Sequence, residues 1–515
     1  MRRPRKVGDV GKAVLHGGRF VVGLILIVSQ CVSADLLSAA EPPTGNDFSA
    51  ASLRAYQQQI MAAHGGYLKV PLDAKADYFE WEMWRYHLSP WHQIFNQARP
   101  PGKPGEPIVY VPGSDTSTWN GALLAAMCYK YAVTKDPQTL TRISELLVGL
   151  HFFFEVTSMP GLMARSVTRA DAFAHDGMKA NTYRAPDGTA YIYSNDPARG
   201  TFSQIAQGYA VMMMLAYLDL PPQIQQMARN DIRLMVLHVI DHDYKATERD
   251  GRRTTYGDMT PLAGPISVPF NGQIAYLIVA LGYCYPPDDP NERARIVEQF
   301  DRLRARHHAY YEDPLRHVVV PQRVGASPFV KGMNDRNHVT NAAYVGLMLD
   351  FNHARRNGRH WDPQFVYQLG QTIYHSFRYL HDQRNSLCSF MCVAILNDPE
   401  VFNTIVTDHR NRVAAEMERA LAEAVTQLQH FSLERFSSPG RETETKDLHW
   451  CDEFRVDDYY WKVGPNWVFQ PTAPPSDTAW CAIDYLHAYW LMRYYRLDQH
   501  PAVTRLNIAE LGHTR

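Results

Sequence analysis

The sequence predicts an all-α protein built as a closed ring of six helical hairpins, and three observations carry that expectation. Twelve segments space their apolar residues three and four apart, the period of one face of a helix. Five of the connections between them are tight and lead into proline: Lys135-Asp136-Pro137, Pro221-Pro222, Asp289-Pro290, Asp362-Pro363 and Asp398-Pro399. Proline is pre-organised for the first helical position and an Asp before it supplies an N-cap oxygen, so each such junction ends one helix and starts the next. Apart from the short step at 384–385, the other connections are long and rich in Trp, Tyr, Arg, His and Asp, which gives the ring one functional face.

The elements follow in order. Arg2, Arg3, Arg5, Lys6, Lys12 and Arg19 precede a short apolar run, Phe20 to Ser33, and small residues at Val32-Ser33-Ala34, the layout of a secretory signal over 1–34 or of an N-terminal anchor. A linker, 35–47, leads to the ring domain, 48–497, and a tail, 498–515, closes the chain. The first helix is expected at about 50–64. Trp119, Leu123, Met127 and Tyr131 line one face of the second, and Leu140, Ile143, Leu147, Leu150 and Phe154 one face of the third. Further hairpins are predicted at about 201–219 with 222–242, 268–285 with 290–311, 338–355 with 362–383, and 386–396 with 398–429. The last helix, about 478–496, pairs with 50–64 when the ring closes, forming the sixth hairpin. Helices apolar all round, such as Gly121 to Met127 and Gly208 to Met214, belong to an inner ring, and those with charged stripes, such as Glu292 to Arg304, to an outer one. The β-prone runs Pro107 to Val111 and His317 to Val320 read as loop ribbons.

Composition narrows the function. The chain has 515 residues, 45% apolar and 20% charged, with a net charge of −1, so no charge excess favours nucleic acid or an anionic membrane. No Gly-rich phosphate loop follows a strand, which argues against a nucleotide fold, and no cofactor is implied. Cys388 and Cys392 lie one helical turn apart and pairing is open to an exported protein. The cysteines show no zinc-ligand spacing, so no metal site is implied and most read as small buried hydrophobes.

The long loops, about 157–200, 243–267, 312–337 and 430–477, run from outer to inner helices and gather over one mouth, at which the inner helices point their N-termini. Asp115, Arg199, Asn271, Asn337-His338 and Asp477 stand at those N-termini, where capping is the plain reading and for Asp477 the preferred one. Asp196 and Asp258 lie in loops beside Tyr193 and Tyr256. Glycosidic cleavage requires one carboxylic acid and a second carboxylate, so Asp115, Asp196 and Asp258 are the candidates for that pair. Trp119, Tyr191, Tyr193, Tyr256, Trp461 and Trp467 offer faces for sugar rings, or pack beneath the loops. Arg165, Arg184, Arg199 and Arg336 suit the clamping of a carboxylate. In that case His338 is the candidate base, with Asn341 beside it, while Tyr344 reads as core.

The stretch from Asp115-Thr116-Ser117-Thr118-Trp119-Asn120-Gly121 through Ala132 to Pro137, with Met159 to Arg165, Thr255-Tyr256-Gly257 and Asp484 to Tyr494, resembles exported bacterial proteins of the six-hairpin glycosidase superfamily. The resemblance implies an (α/α)6 toroid with long loops at one mouth and a carbohydrate-related role on an oligo- or polysaccharide. It assigns no catalytic pair. Three readings follow: a glycoside hydrolase using loop carboxylates, a uronate-directed polysaccharide lyase or epimerase with His338 as base, and a non-catalytic glycan-binding or assembly protein.

Overall fold

A computed structural model describes residues 47–505, apart from 114, 175–177, 180, 262–268, 306–331, 360–362, 382–383, 440–442, 445–449, 453–467 and 470–471. Fifteen helices are named here: α1 Ala50–His64, α2 Leu72–Glu82, α3 Thr116–Thr134, α4 Pro137–Glu155, α5 Arg199–Leu215, α6 Pro222–Asp241, α7 Pro269–Cys284, α8 Pro290–Ala305, α9 Gly332–Arg356, α10 Pro363–Leu380, α11 Ser386–Leu396, α12 Pro399–Ile405, α13 Arg410–Gln429, α14 Ile483–Tyr494 and α15 Pro501–Arg505. Six of them close a ring: α3 packs on α5, α5 on α7, α7 on α9, α9 on α11, α11 on α14, and α14 returns to α3. Outside it stand α4, α6, α8, α10, α13 and α2, each against an inner helix. The fold is an all-α (α/α)6 toroid.

Sequence explains the two layers. Nearly every residue of α3 from Thr116 to Tyr129 is buried, whereas α4 buries only the stripe Thr139, Ile143, Leu146, Leu147, Leu150, Phe153 and Phe154. Close approach of α3 and α5 depends on two facing glycines. A Cβ on Gly208 would stand 2.5 Å from the Gly121 carbonyl oxygen, and one on Gly121 would stand 2.7 Å from that of Gln204.

The proline-led turns form as expected. Lys135 turns left-handed at φ 55° and the Asp136 carboxylate accepts the N–H groups of Gln138 and Thr139 at 3.1 and 3.0 Å. Asp289 caps α8 in the same way, and Asp398 receives the Val401 N–H at 3.1 Å. The Asp362 junction lies outside the described residues.

Four expectations are corrected. The helix packed against α14 is α2, not α1: Phe79 meets Tyr485 with ring centroids 4.9 Å apart, and the Tyr485 hydroxyl donates to the Leu72 carbonyl at 2.7 Å. The α2 segment hides its apolar face in the sequence because it also buries Lys75, Glu80 and Glu82. The predicted helix 398–429 is two helices, broken at His409, which has φ 55°. The last inner helix begins at Ile483 rather than 478, because 472–475 and 479–480 are extended, so Asp477 caps nothing. Helix α9 starts at Gly332, which places Asn337 and His338 inside it rather than at its first residue.

Short ribbons support the mouth. Gln97–Arg99 lies between Val109–Val111 and Ala479–Trp480, both antiparallel, which accounts for the predicted ribbon at 107–111. That at 317–320 lies outside the described residues. Ala190–Ser194 pairs with Ser166–Arg169 and Thr182–Arg184, and Lys245–Thr247 pairs with Arg253–Asp258. All six described cysteines are unbridged thiols. No described helix is long and apolar enough to cross a membrane.

Candidate functional site

Each tight turn hands an inner helix to an outer one, so the inner N-termini share the opposite end with the long loops. At that end Asp115 holds the N-cap position of α3 yet makes no cap: its Oδ1 accepts Arg165 Nη2 at 2.7 Å. The loop is tied down around this pair, because the Ser117 N–H donates to the Arg165 carbonyl and the Arg165 N–H to that of Ser194. The Asp115 carboxylate is half-exposed in this position.

Asp196 adopts φ 68°, a left-handed conformation that Asp tolerates better than most residues, and its Oδ1 accepts the Thr255 N–H. Thr254 Oγ1 donates to the Pro197 carbonyl at 2.8 Å, so this loop is tied to the 245–258 hairpin by two hydrogen bonds. Asp258 turns to its own hairpin, pairing with Arg253 at 2.6 Å and accepting the Thr260 N–H at 2.9 Å. Burial opposes ionisation of Asp258, but the Thr260 N–H and Arg253 outweigh it and hold its carboxyl below the usual range.

Arg199 and Gly200 open α5 directly over His338. A Cβ on Gly200 would sit 2.7 Å from His338 Nε2, so only glycine admits this contact. Burial, and then the Arg199 charge, push His338 down to about 3, which keeps the imidazole neutral at neutral pH.

Deeper in the bore, polar side chains interrupt apolar helices. Asn341 Nδ2 of α9 donates to Gln207 Oε1 of α5 at 2.9 Å, and Gln204 Nε2 donates to the same oxygen. Below, the Tyr129 and Tyr344 hydroxyls meet at 3.2 Å and those of Tyr344 and Tyr495 at 2.8 Å, which plugs the ring. Burial and neighbouring phenols raise Tyr344 well above its ordinary value, so it is a core hydrogen-bonding group. Among the described residues, six buried atoms on the inner helices make no hydrogen bond: Ser117 Oγ, Ser203 Oγ, Gln207 Nε2, Asn271 Oδ1, Gln273 Oε1 and Asn341 Oδ1.

Of the remaining candidates, Trp119 is buried, Tyr193 half-buried in its strand and Tyr256 exposed. Arg184 donates to the Gly188 carbonyl at 2.8 Å within its own hairpin. Trp461, Trp467 and the side chain of Arg336 lie outside the described residues. The structure thus joins Asp115 to Arg165, Arg199 to His338, and Asp196 to the 245–258 hairpin, while Asp258 is occupied locally.

Sequence reasoning missed Ser203, Gln204, Gln207 and Gln273, whose signal was polarity inside otherwise apolar helices. It also missed a stack at the mouth, where the Arg384 guanidinium lies 3.7 Å from the Trp450 ring and His430 stacks on the same indole at 4.6 Å. His430 Nδ1 in turn pairs with Asp452 at 3.0 Å.

No protein-family model matches the sequence, and no curated protein matches it. Among solved structures it is similar to the GH76A α-1,6-mannanase of Salegentibacter sp. HEL1_6, with TM-score 0.37, 11% identity, and coverage of 83% of this chain and 99% of that one. It is also similar to a GH76 α-mannanase of Bacteroides thetaiotaomicron, with TM-score 0.40, 8% identity and coverage of 83% and 96%. A third is the cellobiose 2-epimerase of Spirochaeta thermophila, with TM-score 0.37, 11% identity and coverage of 83% and 98%.

Proposed function

We propose that the protein is an exported carbohydrate-active enzyme that takes an oligosaccharide into the mouth of the ring, in first place as a glycoside hydrolase. The observation that supports this most is the set of six buried polar atoms on α3, α5, α7 and α9 that make no hydrogen bond among the described residues. Buried polar groups are normally paired, and a sugar's hydroxyls would pair these. The similarity of the ring to mannanases and an epimerase agrees with this reading. In the hydrolase reading Asp115 acts as base or nucleophile beside Arg165, with Asp196 or Asp258 as the second carboxyl, and Trp119, Tyr193, Tyr256, Asn271 and Trp467 bind the chain. Export rests on the charged and apolar N-terminal segment.

One observation favours a second reading. A neutral imidazole at His338 with the Arg199 guanidinium beside it suits proton abstraction next to a carbonyl or carboxylate, as in an epimerase or lyase. Incubating the protein with a polysaccharide and oligosaccharide panel, while following reducing ends, unsaturated products and epimers by NMR, separates the readings. Hydrolysis should fall roughly a hundredfold or more in Asp115→Asn, whose fold stays intact. Unchanged turnover in Asp115→Asn, Asp196→Asn and Asp258→Asn removes the carboxylate mechanism.

A further inference from the structure

Outside the ring a cleft of about 990 Å³ runs between α2 and the α3–α4 hairpin. Ligand sites occupy about 300–1,000 Å³, so its size is that of a binding site. Helix α2 turns Asp77, Glu80 and Trp81 to it and the helical turn that follows, Met83–His87, adds Trp84, residues spaced three, one and three apart. On the floor Lys130 Nζ of α3 donates to both oxygens of Glu80 at 2.9 and 2.7 Å, and Arg142 of α4 pairs with the same carboxylate. The Arg142 guanidinium also lies 4.7 Å from the Trp84 ring centre, and Trp84 Nε1 donates to Glu145 at 3.2 Å. The floor is therefore a fixed array of charged donors backed by indole rings, and Lys130 and Arg142 have more N–H groups than these bonds use.

Asp77 is the odd member. It makes no hydrogen bond or ion pair among the described residues, although it opens onto the cleft. Its surroundings raise its carboxyl above the usual range, chiefly by desolvation, which Lys130 partly offsets. Charge selects the ligand class. Asp77, Glu80 and Glu106 stand against Arg85, Lys130 and Arg142, so the lining is balanced. A polyanion would meet Asp77 and Glu106 unfavourably, and an apolar peptide would bury Asp77 with nothing to bond it. A neutral ligand dense in hydroxyl groups, with flat C–H faces for indole, satisfies both demands.

We propose that this cleft is a second binding site, separate from the mouth, for a neutral oligosaccharide chain. The class of ligand rests on the carbohydrate reading of the protein, and the location does not. The test is calorimetric titration of the full chain with neutral tetraoses of glucose, mannose and xylose, and with a tetragalacturonate as the charged control. Wild type is compared with Asp77→Ala, Gln138→Ala and Trp84→Phe in the cleft, and with Asn341→Leu in the bore. The expected result is that a neutral tetraose binds, the uronate does not bind in the cleft, and Asp77→Ala and Trp84→Phe weaken cleft binding tenfold or more with unchanged melting temperature. Asn341→Leu should leave that binding phase in place. A neutral glycan bound equally by wild type and by folded cleft variants overturns the cleft and leaves the carbohydrate reading standing. Binding of no neutral glycan by any of them overturns both. If Trp84→Phe fails to fold, Asp77→Ala and Gln138→Ala at the cleft surface decide the matter.

Discussion

Acidification from pH 7 to pH 5 should remove several kcal/mol of folding stability. His87, His238, His338 and His487 are all buried. Burial pushes His87 and His238 down to about 4, and His338 and His487 down to about 3, from an ordinary 6.5. Above pH 6.5 these imidazoles are neutral in both states and contribute no pH dependence. Below it the unfolded chain binds protons that the folded protein refuses, so stability falls with pH until the folded values are reached. Each group contributes up to about 1.4 kcal/mol per pH unit, and the four together about 5 kcal/mol per unit. Glu82 acts in the opposite sense. Desolvation raises it from 4.5 to about 8, so its contribution is full below pH 4.5 and is lost as pH rises toward 8. The net slope below pH 6.5 is therefore about 4 kcal/mol per unit, an upper value because local opening lets a buried imidazole reach water. Urea midpoints at pH 7, 6 and 5, with the imidazole signals followed by NMR, measure it. His338→Asn should reduce the net slope by roughly a third. A midpoint constant from pH 7 to pH 5 would refute the reasoning, since it would require these imidazoles to protonate inside the folded ring.

Three other outcomes are expected. Gly208→Ala places a Cβ 2.5 Å from the Gly121 carbonyl, and neither backbone can yield, so the urea midpoint should fall by the equivalent of about 3 kcal/mol despite alanine's better helix propensity. Asp136→Ala removes the oxygens that cap α4 and should cost about 1 kcal/mol in thermal unfolding while leaving turnover on any identified substrate unchanged. Asn341→Leu takes an amide out of the bore, and we expect stability within about 1 kcal/mol of wild type but a tenfold or greater loss of substrate affinity in the mouth; full affinity would show that the bore amides do not touch the sugar.

The hairpins were legible because proline, an Asp cap and a 3.6-residue period act locally, as at Lys135 to Pro137. The closing partner of α14 was not, because Lys75, Glu80 and Glu82 break the apolar period of α2, and the burial of Lys75 and Glu80 is tolerated through bonds to distant groups. Lys75 donates to the Phe431 carbonyl, 356 residues away, at 2.7 Å. The candidate site divides in the same way. Asp115 and Arg165 could be placed at the mouth from loop lengths, although their pairing across 50 residues could not. The contact of Gln207 with Asn341 spans 134 residues and depends on which helices face each other across the ring.

The buried polar atoms of the bore carry an energetic cost. A buried polar atom without a partner costs about 1–3 kcal/mol, and among the described residues six of them lie on four adjacent inner helices. Apolar residues of similar volume at Ser203, Gln207 or Asn341 would remove that cost and extend the helices' own pattern. A sequence shaped for stability alone would carry them, as Ala122 to Met127 do one helix away. In the proposed carbohydrate reading the amides and hydroxyls are matched to something that enters the bore, and their neutrality narrows what that is. Hydroxyl groups both donate and accept, and an array that mixes Oγ, Oδ1, Oε1 and Nε2 atoms with no partner of their own asks for a ligand that does both. The anion clamp of the lyase reading falls to the rim, at Arg165 and Arg199, where the one is held by Asp115 and the other stands beside His338.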